Sequence, residues 1–358
     1  MKKGILVVPF MTGYGGTETV IGNLFKARKS RHQDFKLKVY SIGGSFDYGW
    51  AKNVDLDIKW INKKRKVRDL YAMTIMPFNL FNYIKRERPA FIISTNPVIW
   101  YLAKECLRLL HRNTPVIAWY HYSIYQKPIK KLFLNAADYY LAISSGIKRQ
   151  LISRGIPANR IFLVLNPITT DGHLIKRPGG IHFVYMGRIM LDGQKNLREL
   201  INALALLKGQ WTLDLYGNEA QAADVKAYVN AKGIAKNIVW HGFVNNPWKK
   251  LDQATAILLT SKYEGLPMVL CEAVSHGVYC VSANTSTGPE DIINSQNGSL
   301  YSLGDEKKLA EILQAIVNGK RLPAQHNIQE TATKFLPVEY LKRFNEAITT
   351  ILRRGMEK

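Results

Sequence analysis

The sequence predicts an α/β chain built as two doubly wound domains, each a parallel sheet covered by helices on both faces. Three observations carry this expectation. The chain has 358 residues, which at about 150 per domain bounds it to about two domains. Short apolar, β-branched or aromatic runs alternate with stretches of helical period, and a βαβα order requires a parallel sheet with helices on both sides. The series also runs twice, broken by the Pro-, Gly- and polar-rich loop 166–180. Two Rossmann-like domains facing across a cleft follow, with 1–169 as the first and 170–337 as the second.

Taken in order, residues 4–10 form an apolar run, followed by a glycine-rich turn and a helix over 17–29 with Val20, Ile21, Leu24 and Phe25 at helical spacing. Residues 36–42 read as the second strand. The runs 89–94, 115–120, 139–143 and 161–165 continue the first series. The second series holds strands at 181–186, 211–216, 238–240, 256–260 and 279–282, with helices over 196–207, around 220–232, and over 268–276. Residues 338–354 carry Tyr340, Leu341, Phe344, Ala347, Ile348 and Ile351 on one face, an amphipathic helix.

Composition removes several classes. With 47% apolar and 22% charged residues the chain has material for two packed cores, so disorder is excluded as its main state. The three cysteines, Cys106, Cys271 and Cys280, form no CxxC pair and supply neither a disulfide framework nor a closed zinc site by themselves. The apolar run after the N-terminus spans only residues 5–11 and leads into a glycine loop, so it reads as a buried strand and not as a secretory signal. No charge-free apolar stretch is long enough to span a bilayer. The expectation is a cytoplasmic two-domain protein.

Two regions carry chemistry. Between the first strand and first helix stands Gly13-Tyr-Gly15-Gly16-Thr-Glu18, where glycines let backbone N–H groups approach a phosphate at a helix N-terminus. The second strand ends Tyr40-Ser-Ile-Gly-Gly44 without an acid, which counts against a dinucleotide cofactor. In the second half, Gly187-Arg188 follows a strand and Lys195-Asn196 opens the next helix; two converging cations suit a diphosphate. Glu264 and Glu272 then flank a Gly-Leu-Pro turn containing Leu266. That turn sets Glu264 at a loop tip, the N–H groups of Met268 and Val269 at a helix N-terminus, and Glu272 one turn further in, where a carboxylate can take both hydroxyls of a ribose.

Gly187-Arg188, Lys195-Asn196 and the Glu264-x7-Glu272 spacing resemble glycosyltransferase family 4, retaining enzymes of the GT-B fold. Gly15-Gly16-x-Glu18, His241-Gly242-Phe243 and Thr287-Gly288-Pro289 are similar to it as well. Within that family the likeness is to the lipopolysaccharide 1,6-galactosyltransferase branch, through Met186-Gly-Arg, Asp192-Gly-Gln-Lys195, Ala142-Ile-Ser-Ser-Gly-Ile and Leu258-Leu-Thr-Ser-x-x-Glu264-Gly-x-Pro. The resemblance spans essentially the whole chain. It implies an acceptor-side first domain, a nucleotide-sugar-binding second domain, and a C-terminal helix packing back toward the first. Arg188 and Lys195 would hold the donor diphosphate, Glu272 the ribose, and Glu264 would face the transferred sugar. Phe243 and Val244 would lie beside the uracil, and Gly15 and Gly16 would complete the phosphate loop. His121, in Trp119-Tyr-His-Tyr, matches a family histidine near donor sugar and acceptor; a hydrogen-bonded core histidine is the other reading of that position.

The mechanism so implied is a front-face displacement in which the departing UDP helps take the acceptor proton, and no catalytic carboxylate pair of the retaining-glycosidase kind is assigned to Glu264 and Glu272. No cofactor is implied; UDP-sugar is the donor substrate and no metal is expected. Asp55-Leu-Asp57 has the form of a DxD metal tripeptide, but it stands alone and reads as a chance surface sequence. The donor expected is UDP-galactose, with UDP-glucose or UDP-N-acetylglucosamine as alternatives. The acceptor expected is a cell-envelope glycan or lipid-linked saccharide. An inactive partner subunit is disfavoured by the intact Arg188, Lys195, Glu264 and Glu272.

The net charge is +23. Residues 1–169 hold 28 Lys and Arg against 9 Asp and Glu, a net of +19, while the remainder holds 22 against 18. Such asymmetry points to a polyanionic partner for one half. No RNP-type, KH or helix-turn-helix pattern supports nucleic acid, so none is expected. Basic clusters at Lys26, Arg28, Lys29 and Arg31, at Lys63-Lys-Arg-Lys66 with Arg68, at Lys85, Arg86 and Arg88, and at Lys130-Lys131 accompany the apolar segment 71–81. They suit peripheral docking on the anionic inner face of the cytoplasmic membrane; an ordinary core helix is the competing reading of 71–81.

Overall fold

The strands of both domains run parallel, so the C-terminal ends of each sheet line one edge, and that edge positions every candidate residue. A computed structural model describes residues 1–13, 15–29 and 33–355. Tyr14 of the glycine loop and Arg31 of the first basic cluster lie outside the described residues.

The first sheet is built from β1 (Lys2–Val8), β2 (Phe35–Ser41), β3 (Leu56–Ile58), β4 (Phe91–Ser94), β5 (Val116–Ala118), β6 (Tyr139–Ala142) and β7 (Ile161–Leu163), in the order β3-β2-β1-β4-β5-β6-β7. Its helices are α1 (Gly16–Lys29), α2 (Arg65–Thr74), α3 (Met76–Glu87), α4 (Pro97–Leu109), α5 (Lys131–Ala136) and α6 (Ser145–Ser153). Strand β1 is central, and Ile5, Leu6, Val7 and Val8 are fully buried, as a strand covered on both faces must be. Helix starts are set by local chemistry: Asn96 accepts from the Val98 and Ile99 N–H groups with Pro97 at the first helical position, and Ser144 caps α6 through the Ile147 N–H.

The second sheet comprises β8 (His182–Met186), β9 (Thr212–Tyr216), β10 (Ile238–Gly242), β11 (Ala256–Leu259), β12 (Tyr279–Asn284) and β13 (Gly298–Ser302), ordered β10-β9-β8-β11-β12-β13. Helices α7 (Leu197–Ala205), α8 (Ala223–Ala231), α9 (Met268–Ser275), α10 (Pro289–Ile292), α11 (Glu306–Val317) and α12 (Gln325–Glu330) accompany it. The last helix, α13 (Pro337–Arg354), belongs to the first unit, which comprises 1–168 with 337–358, while 169–336 form the second. Helix α13 packs on α1, and its buried Phe344 lies against the rings of Phe35 and Trp119, with centroids 6.4 and 6.0 Å apart.

The Asp55-Leu-Asp57 tripeptide lies at the surface, Asp55 exposed and Asp57 half-buried with partners of its own. It enters β3, an edge strand whose half-exposed Leu-Asp-Ile makes no apolar run for the sequence pattern to show. Asp57 accepts from the Tyr83 hydroxyl at 2.7 Å and pairs with Lys38 at 2.8 Å. Burial opposes its charged form, but the bonds from Lys38 and Tyr83 prevail and hold its carboxyl below the usual range.

The segment 71–81 divides between the two readings given for it. Tyr71, Met76 and Leu80 are buried, whereas Met73, Ile75 and Phe78 are 79, 54 and 65% exposed. Helix α2 ends at Thr74 and α3 restarts with Pro77 in its first turn, so the outward apolar side chains come from two successive helices. Lys63, Lys64, Arg65 and Lys66 are all exposed beside them.

Candidate functional site

In the second sheet β8 is the first strand laid down; β9 and β10 extend it on one side and β11 to β13 on the other. The switch point therefore lies between β8 and β11, and in open α/β sheets the crevice beyond the strand ends at such a point takes the ligand. Arg188 and Lys195 follow β8; Glu264 and Glu272 follow β11.

Lys195 Nζ donates to Glu264 Oε1 at 2.7 Å, and the two side chains are only 14 and 11% exposed. A pair so enclosed needs rigid support, since either charge left alone would be heavily penalised. Asn196 adopts the left-handed region (φ 51°) and donates to Glu199 Oε2 at 2.5 Å. The buried Glu199 also accepts from the Tyr301 hydroxyl at 2.8 Å and the Gly304 N–H at 3.2 Å. The Thr260 hydroxyl reaches the Lys195 and Asn196 carbonyls at 3.2 and 3.0 Å. Arg188 is exposed and donates to Gln194 Oε1, and Gln194 in turn donates to the Tyr263 carbonyl at 3.0 Å. Gln194 thus links Arg188 to the loop that carries Glu264.

That loop is clasped from β12. Thr287 donates through its hydroxyl to the Glu264 carbonyl. Gly288 holds φ 98°, and a Cβ there would stand 2.7 Å from Pro267 Cδ and 3.0 Å from Leu266 Cα. Only glycine meets both demands, the backbone conformation and the close approach. Leu266 is buried, Pro267 precedes α9, and no side chain caps the helix start, where Met268 and Val269 stand half-buried. Glu272, in the second turn, accepts from the Trp248 indole N–H at 2.8 Å. Burial pushes its carboxyl up to about 7, opposed in part by that bond. The structure thus brings Arg188, Lys195, Glu264 and Glu272 to the two sides of one switch point. Phe243, 66% exposed, and Val244 follow β10, the outermost strand on the β8 side, two strands away.

In the first unit Glu18 explains the glycine loop. Its carboxylate is buried and accepts from the Thr12 N–H at 3.0 Å, the Thr12 hydroxyl at 2.9 Å and the Gly13 N–H at 3.1 Å. A Cβ on Gly15 would run into this carboxylate, while one on Gly16 would meet nothing within 4 Å. His121 follows β5, is buried against Trp119, and its Nε2 has no hydrogen-bond partner among the described residues. Burial pushes its imidazole down to about 3, so it is neutral at physiological pH.

Six supporting residues received no role from the sequence: Glu18, Gln194, Glu199, Thr260, Thr287 and Trp248. Glu18, Gln194, Thr260 and Thr287 stand inside the quoted motifs, so their positions were visible although their partners were not. Trp248 comes after β10 with nothing in its surroundings that links it to a glutamate 24 residues later.

Residues 14–171 match the family model described as Glycosyltransferase Family 4, and residues 173–335 that described as Glycosyl transferases group 1. The chain belongs to the family 4 glycosyltransferases, two-domain transferases of the GT-B fold. It is 30% identical over 359 aligned residues to the lipopolysaccharide 1,6-galactosyltransferase of Salmonella typhimurium, covering 96% of this chain and 98% of the relative. A solved structure of the lipopolysaccharide outer core galactosyltransferase WaaB, without ligand, superposes with a TM-score of 0.86 at 29% identity, covering 97 and 99% of the two chains. Anabaena Alr3699/HepE in complex with UDP has the same fold, with a TM-score of 0.80 at 17% identity over 98 and 100% of the chains.

Proposed function

We propose that the chain transfers a hexose, galactose foremost, from a UDP-sugar to a cell-envelope glycan or lipid-linked saccharide, with retention of configuration. The single observation that carries this reading is the enclosed Lys195–Glu264 pair at the switch point, with Arg188 on one side and α9 on the other. The galactosyltransferase names of the relatives support the sugar, and the UDP in the Anabaena structure supports the nucleotide.

In this reading Arg188 and Lys195 hold the diphosphate, the N-terminus of α9 at Met268 and Val269 adds its dipole, and Glu272 exchanges its bond from Trp248 for the two ribose hydroxyls. Glu264, already oriented by Lys195, faces the sugar, while Phe243 and Val244 lie beside the uracil. The acceptor oxygen bonds to the anomeric carbon as the bond from that carbon to the β-phosphate oxygen breaks. The acceptor proton passes to the departing phosphate oxygen, and UDP leaves from the same face. The chief contribution of the protein is charge stabilisation and positioning. Gly15 and Gly16 offer backbone N–H groups to an anion at the start of α1, and the neutral His121 supplies a hydrogen-bonding nitrogen to sugar or acceptor.

Two fixed cations at the diphosphate make a divalent ion there unnecessary. No helix among the described residues is long and apolar enough to cross a membrane. Lys63, Lys64, Arg65 and Lys66, beside the outward apolar residues of α2 and α3, give the chain a peripheral site for the inner face of the cytoplasmic membrane. Incubation with a panel of UDP-sugars and a lipopolysaccharide-core acceptor tests the reading. Release of UDP foremost from UDP-galactose, an α-linked product, and no stimulation by Mg²⁺ or Mn²⁺ after EDTA treatment are expected; a β-linked product would contradict retention, and preference for UDP-glucose or UDP-N-acetylglucosamine would reassign the donor.

A further inference from the structure

Helix α9 has a second end that the transfer reaction does not use. There, away from Met268 and Val269, Asp171, His173 and His276 converge, each offering one ligand atom, all within 4.8 Å of one another. We propose that these three side chains hold a divalent transition-metal ion, zinc by the chemistry of the set, and that the ion ties loop residues 171–173 to the end of α9.

Two imidazoles and one carboxylate suit zinc and its borderline neighbours and leave a fourth position for water. A hard cation such as Mg²⁺ would want oxygen ligands instead. His276 is only 4% exposed and is held in place before any ion arrives. Its Nδ1 faces the His173 carbonyl oxygen at 2.9 Å, and its ring stacks on Trp248 with centroids 5.2 Å apart. A backbone carbonyl taking the proton of one ring nitrogen leaves the lone pair on the other, which is how metal-binding histidines are commonly oriented.

The loop is fastened as well. Ile175 N–H donates to the His276 carbonyl at 3.0 Å. Gln329 reaches the Gly172 and Ser275 carbonyls at 2.8 and 2.9 Å. Asp171 and His173 touch each other across one intervening residue. His276 also caps the C-terminus of α9, the negative end of the helix dipole, which favours a cation. None of Arg188, Lys195, Glu264 and Glu272 is among the three ligands, although Trp248, on which His276 stacks, donates to Glu272.

Zinc chloride titrated calorimetrically into the untagged, EDTA-treated and dialysed full chain tests the site. One ion per chain is expected, with millimolar Mg²⁺ unable to compete. Affinity should fall at least about tenfold in both His173→Ala and Asp171→Asn, exposed positions whose replacement leaves the core intact. Co²⁺ should bind with a visible absorption band that both variants lose. No binding below millimolar zinc, or zinc affinity unchanged in His173→Ala and Asp171→Asn, would overturn the proposal.

Discussion

In the proposed donor complex Glu272 answers to two opposed demands. To accept from two ribose hydroxyls it must be ionised, yet burial pushes its carboxyl up to about 7 from an ordinary 4.5. The folded chain therefore binds a proton more tightly than the unfolded chain between those two values, and the UDP-free protein loses stability as pH rises through that window. Glu272→Gln should remove this pH dependence and weaken the nucleotide. Calorimetry with UDP-galactose, whose diphosphate diester keeps a constant charge here, should show affinity rising from pH 6 to pH 8 in the parent chain and staying flat and weaker in Glu272→Gln. Equal affinities at both pH values in the parent would contradict the ribose role. At this scale the sequence exposes the charged residues, because cations at a strand end and a helix start and two carboxylates about a Gly-Leu-Pro turn form a local pattern. It does not expose their supports. Trp248 on Glu272, Tyr301 on Glu199 and Thr260 on the Lys195 carbonyl are contacts made by folding, at separations no local spacing encodes.

Among the elements, the turn before α9 depends on β12. Gly288→Ala forces a Cβ toward Pro267 at a φ of 98°, so a loss of about 1 kcal/mol or more is expected, read as a lowered denaturant midpoint together with weaker UDP binding. An unchanged midpoint would mean that the clasp is loose. Helices α2 and α3 carry the docking reading. In liposome sedimentation, binding should need anionic lipid and fall with salt, since the screening length shortens to about 3 Å at 1 M. It should drop when Lys63, Lys64, Arg65 and Lys66 become Ser, and again when Met73 and Phe78 become Ser. Equal binding to neutral vesicles, or none to anionic ones, would retire it. Long periodic elements such as α1 and α13 are legible in the sequence to within a few residues, as is the shorter α9 after its Gly-Leu-Pro turn. Strand β3 has an acid at its centre and no buried residue, and β13 opens on Gly298 and Ser299, residues that otherwise signal turns, so neither stands out.

For the whole molecule, the twofold βαβα series is visible because hydrophobic period is a property of the chain itself, whereas the return of α13 to the first unit is not written in its own amphipathic pattern. Phe344 makes that return concrete: fully buried between Phe35 and Trp119, its replacement by Ala should cost about 3–5 kcal/mol, seen in equilibrium unfolding of the first unit. In the proposed reaction the switch point of the second sheet is a diphosphate site run by two cations. The rate of UDP release from UDP-galactose with a lipopolysaccharide-core acceptor, compared between the parent chain and the Arg188→Ala and Lys195→Ala variants, reads out that role. Removing one preorganised charge from a departing diphosphate should lower kcat by about 10²–10³ in each variant, with circular dichroism unchanged. Near-parental turnover in both variants, with the fold intact, would rule out a diphosphate site built on these two cations.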